Sequence, residues 1–66
     1  MKNKILITGG SGFIGTNLMA HYLSRKEDYD VINLDIVEPK IKSHRAFWKK
    51  VDIRNNDELK KSIYSL

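Results

Sequence analysis

The chain has 66 residues, a formal net charge of +4 from twelve basic and eight acidic side chains, one proline and no cysteine. Disulfides are therefore excluded, and a zinc site is disfavoured because His21 and His44 stand far apart with no cysteine beside either. No stretch approaches the ~20 apolar residues that cross a bilayer, and the apolar run in MKNKILIT is too short for a secretory signal.

A domain this small buries only about 60% of the surface that its unfolded chain exposes. Without disulfides or a metal, stability must come from a small core, from self-association or from additional chain. The expectation is additional chain, with residues 1–66 forming one partial domain. A soluble, cytoplasmic protein with no membrane partner is the default expectation for such a composition.

Residues 4–8, Lys-Ile-Leu-Ile-Thr, form a short apolar run of the kind found in strands covered on both faces. All four glycines of the chain follow within seven positions: Gly9, Gly10, Gly12 and Gly15. Ile14, Leu18 and Tyr22 then recur every four residues, with Gly15, Met19 and Leu23 beside them, which predicts a helix to about Ser24 with that row against the sheet. RKEDYD is a polar turn, VINLD (31–35) a second strand, and IVEPKIKSH a loop around Pro39. AFWKKVD (46–52) half-alternates and predicts a third, outer strand. Asn55 with Glu58 three residues on resembles a capping box, and Leu59 and Ile63 continue a helical face towards Leu66.

The predicted order, β-α-β-loop-β-α, is that of an α/β protein with a parallel sheet. It amounts to the N-terminal half of a doubly wound domain, in which the first strand would lie at the centre of the complete sheet. Alone, such a half leaves that strand an uncovered apolar edge, so self-association is expected of the isolated chain.

The glycines suit a backbone task. Gly10-x-Gly12-x-x-Gly15 and Gly9-x-x-Gly12-x-x-Gly15 both match dinucleotide-binding spacings. An early glycine permits the tight strand-to-helix turn, Gly12 lets main chain approach a pyrophosphate, and Gly15 lets the helix sit close. Amides near Phe13 and Ile14 would then face the phosphates from the helix start. An acidic residue, Asp35, falls 20 positions beyond Gly15 at the end of the second strand, where a carboxylate can accept ribose hydroxyls. Gly10-x-x-x-x-Gly15 followed by Thr16 superficially matches an NTPase phosphate loop, but the lysine that should separate Gly15 from Thr16 is missing.

TGGSGFIG (8–15), Asp35 after VINL, and VDIR (51–54) together resemble the start of an extended short-chain dehydrogenase/reductase of the NAD-dependent nucleotide-sugar epimerase/dehydratase branch. The resemblance runs over nearly all of the chain and covers only the first part of such an enzyme. It implies a Rossmann-type fold and a nicotinamide dinucleotide cofactor, with the adenosine half held by Gly9, Gly12 and Gly15. It further implies that Ser11, Phe13 and Ile14 line the pyrophosphate, chiefly through main-chain groups. Asp52 would contact the adenine amino group and the Ile53 main chain a ring nitrogen. Asp35 beside an NADP 2′-phosphate would be unfavourable by on the order of 1–4 kcal/mol, so NAD is the expected cofactor; Lys40 and Lys42 nearby keep NADP in view.

The family's catalytic tyrosine and lysine stand four apart. Tyr22 and Lys26 have that spacing, but they sit directly after the glycine loop, where the family has no such pair, and no catalytic residue is expected in this chain. The implied reaction is hydride transfer from a hydroxyl-bearing sugar carbon to NAD, with the 66-residue piece itself inactive. Two other functions compete: a non-catalytic dinucleotide sensor or scaffold of the same family, and a basic nucleic-acid-binding module built on KIKSHRAFWKK (40–50). No recognised nucleic-acid motif accompanies that run, and Phe47 and Trp48 read better as packing residues.

Overall fold

A computed structural model describes residues 2–65. Strand β1 (Asn3–Thr8) leads through the glycine turn into helix α1 (Phe13–Leu23) and then strand β2 (Tyr29–Asp35). A 3-10 helix (Lys42–Phe47) runs directly into strand β3 (Trp48–Lys50), and helix α2 (Asn56–Tyr64) follows. The strands form one parallel sheet in the order β1-β2-β3, with Thr8 opposite Leu34 and Asp35 opposite Lys50. This is half of a Rossmann-type α/β sheet, as the alternation of elements predicts.

Side chains two apart on a strand share a face, and this sorts the sheet. Ile5 and Ile7 of β1 and Val31 of β2 turn towards α1, where Ile7, Met19 and Val31 form the buried cluster. Tyr22, Leu23, Tyr29 and Phe47 pack around it. Each fully buried aliphatic side chain of this kind contributes roughly 1.5–3 kcal/mol. Leu34 and Val51 are also fully buried, but outside that cluster. Towards β1 the face opposite α1 stays open, with Leu6 39% exposed beside a hollow of about 250 Å³ between β1 and β2.

Two local expectations are corrected. The packed row of α1 is Gly15, Met19, Tyr22 and Leu23, while Ile14 and Leu18 face outward, 75% and 45% exposed. Close approach of Gly15 to the glycine turn fixes the rotation of the helix, and positions 19, 22 and 23 follow from its 3.6-residue period. The third strand is shorter than residues 46–52. Ala46 and Phe47 belong to the 3-10 helix, anchored where the His44 amide donates to the Ile41 carbonyl at 3.0 Å and the Arg45 side chain to the Pro39 carbonyl at 3.0 Å. Phe47 thereby reaches the core from a turn. Leu66, the predicted last residue of the final helix, lies outside the described residues.

Helix α2 is capped by its own sequence. The Asn55 side chain accepts from the Glu58 amide at 3.1 Å. Glu58 completes half a capping box only, because its carboxylate accepts from the Asp52 amide at 3.3 Å and the Asn55 amide goes to the Asp52 carbonyl.

Candidate functional site

Parallel pairing places the carboxyl ends of all three strands on one edge, and the residues singled out by the sequence gather there. After Thr8 the backbone amides are taken up one by one within the chain. Gly9 donates to the Leu34 carbonyl (3.0 Å), Gly10 to the Asn33 side-chain oxygen (2.8 Å), Ser11 to Asp35 Oδ2 (3.0 Å) and Gly12 to the Gly9 carbonyl (3.1 Å). The next three amides, of Phe13, Ile14 and Gly15, open α1 and have no intrahelical acceptor. Among the described residues no side chain caps this helix, and its first turn holds no acidic residue, whereas α2 carries Asn55, Asp57 and Glu58 at its start. A helix start left in that condition favours an anion.

The glycines answer to different constraints. Gly9 has φ +70°, a conformation that side chains disfavour. A Cβ on Gly10 would meet the Asn33 side chain at 2.5 Å, and one on Gly15 would fall onto the Gly9 carbonyl oxygen and the Gly10 Cα. Gly12 is unlike these. Its φ of −77° and ψ of 178° are open to any residue, and a Cβ there would meet only the Gly9 oxygen at an ordinary 3.5 Å. Folding does not require glycine at position 12; an object approaching from outside would. Gly12 lies in a cleft of about 410 Å³ lined by Ser11, Phe13, Thr16 and Asn17 and, from the segment after β2, by Lys40 and Ile41. The Phe13 side chain is exposed at its edge, and that of Ile14, next in the helix, is exposed as well.

Asp35 is tied into this edge at several points. Its carboxylate accepts from Ser11 through Oδ2 and from the Val37 amide through Oδ1 (3.0 Å), leaving each oxygen a further lone pair. Its carbonyl accepts from the Trp48 indole (2.9 Å) and the Val51 amide (3.1 Å). The latter bond sets Asp52 just past the end of β3. There the Asp52 carboxylate accepts from the amide (3.0 Å) and the guanidinium of Arg54 (3.1 and 3.3 Å). The Arg54 side-chain hydrogen bonds, then its amide and its charge, hold the Asp52 carboxyl below the usual carboxylate range. Ile53 occupies the same turn with its side chain 41% exposed. Gly9, Ser11, Gly12, Gly15 and Asp35 thus form one hydrogen-bonded and packed unit. Asp52 and Ile53 stand further along the edge, without a hydrogen bond to the glycine loop among the described residues.

Tyr22 and Lys26 lie at the opposite end of α1 from the glycine loop. The Tyr22 ring packs on the core and stands edge-on to Tyr29, centroids 5.1 Å apart, while Lys26 is exposed. In the basic run, Phe47 packs on the core and the half-buried Trp48 donates its indole N–H to the Asp35 carbonyl. One residue of the site escaped the sequence reading, and another was named there only for its nearness in sequence. Asn33 is fully buried, and its signal was a carboxamide inside an apolar strand two positions before Asp35. Lys40 reaches the cleft through the path of its loop, which no spacing encodes.

A parallel β-α-β unit with a glycine turn at its strand ends, an uncapped helix start and a carboxylate closing the second strand belongs to the dinucleotide-binding class of α/β proteins. Within that class the chain belongs to the NAD dependent epimerase/dehydratase family, whose family model matches residues 5–65. No curated protein and no solved structure matches the chain. Among the described residues no helix is long and apolar enough to cross a membrane.

Proposed function

We propose that residues 1–66 form part of a larger cofactor-binding domain and hold the adenosine half of NAD in an enzyme acting on a nucleotide sugar. The observation that carries this reading is Gly12. It is the one glycine of the turn that neither packing nor φ explains, and it sits beside free helix-start amides in an open cleft. The amides of Phe13 and Ile14 hold the diphosphate, with the Lys40 ammonium available from across the cleft. Asp35 accepts the ribose hydroxyls on its remaining lone pairs and disfavours a 2′-phosphate, so NAD is bound in preference to NADP. Asp52 and the Ile53 main chain receive the adenine.

Bound NAD supplies a reversible two-electron acceptor, which epimerisation or dehydration at a hydroxyl-bearing sugar carbon requires. The chain's own residues position the adenosine half and contribute no acid or base, since Tyr22 is packed away from the cleft. The 66-residue piece is accordingly inactive alone. Calorimetric titration with NAD tests the reading on the wild type and on Gly12→Val. The wild type is expected to bind. The variant is expected to keep its circular dichroism spectrum and lose binding, because its side chain occupies the approach and not the core. Equal affinity in a folded Gly12→Val would remove the cofactor assignment.

A further inference from the structure

We infer that Asn33 is a positioning residue that turns the Ser11 hydroxyl into a hydrogen-bond donor for a phosphate oxygen; the inference rests on the reading of the glycine turn as a diphosphate cradle. Asn33 has no exposed surface, and it lies in a strand whose neighbours Val31 and Leu34 are buried and apolar. A valine or isoleucine would serve the core there without the desolvation cost of a carboxamide. Both ends of that carboxamide go to the glycine loop, across more than twenty residues of sequence: Oδ1 accepts from the Gly10 amide at 2.8 Å, and Nδ2 donates to Ser11 Oγ at 3.1 Å.

The polarity of this chain of bonds is fixed. A backbone amide can only donate, so the Asn33 atom facing Gly10 is the oxygen, and the atom facing Ser11 is the nitrogen. That nitrogen can only donate, so Ser11 Oγ must accept from it. The hydroxyl proton of Ser11 is then left without a use on the Asn33 side. Ser11 lines the cleft in front of Gly12, where the proton can be donated outward. Its own amide is already given to Asp35. Ser11 therefore contributes to phosphate binding through its side chain and not through its main-chain N–H. Asp35, two positions on and on the same face of β2, supplies the second rung that keeps Gly10 and Ser11 in place.

Dissociation constants of ADP and of adenosine, measured on the intact chain for wild type, Ser11→Ala and Asn33→Ala, test this. Loss of a hydrogen bond to a charged group predicts about tenfold weaker ADP binding in Ser11→Ala, with adenosine within about twofold. Asn33→Ala should weaken ADP at least as much. Should Asn33→Ala fail to fold, Ser11→Ala still decides, because it leaves every backbone bond of the loop in place. An ADP-selective loss supports the inference. Unchanged ADP affinity in Ser11→Ala, or ADP and adenosine falling together, overturns it while leaving the dinucleotide reading standing; a wild type that binds neither NAD nor ADP overturns both.

Discussion

Asp52 shows how a residue assigned to a ligand can be engaged by the chain first. Arg54 contacts its carboxylate from both backbone and side chain, and the folded-state pKa is lowered. A lowered carboxyl pKa stabilises the fold above the unfolded value, and that contribution is lost as pH falls through the folded value, below about pH 4. Arg54→Ala removes the guanidinium and keeps the Arg54-position amide. A carboxyl NMR titration should therefore show the Asp52 pKa rising part of the way to its ordinary value; no movement would mean that the guanidinium contact is not formed in solution. Sequence exposed Asp35 and the glycines because their types and spacing are themselves the requirement. It did not expose Asn33, whose task depends on which face of β2 meets the turn.

At the level of elements, α1 records a competition between two signals. The apolar period favoured the Ile14–Leu18 row, but backbone contact at Gly15 set the rotation instead. A contact between backbones admits no side-chain adjustment, while exposing two aliphatic residues costs only part of their burial. Gly15→Ala tests this ranking. Alanine raises helix propensity by about 1 kcal/mol, yet its Cβ must displace the Gly9 carbonyl, and overpacking of that kind costs roughly 1–3 kcal/mol or more. The expected outcome is a net loss in urea unfolding; a gain would mean that the turn yields easily. Existence, type and order of the five predicted helices and strands were legible because each carries its own period or cap. The 3-10 helix was not, since Lys42–Phe47 has no apolar period and its form depends on Arg45 reaching back to Pro39.

For the molecule as a whole, β1 is an edge strand with Leu6 exposed on the face away from α1. Unpaired strand edges with apolar flanks recruit further strands. The 66-residue chain in isolation should show a mass that rises with concentration in sedimentation experiments, and Leu6→Lys should reduce that rise; a monomer at all concentrations would contradict it. Asp35 has a different reach, for it fastens the glycine turn, the segment after β2 and the start of β3 at a single point. Exchanging this aspartate would release the glycine turn and the segment after β2, which its carboxylate holds, while the bonds from Trp48 and Val51 to its main-chain carbonyl would stay. Ile36 and Val37 next to it are exposed, and their side chains can be replaced while the latch stays shut.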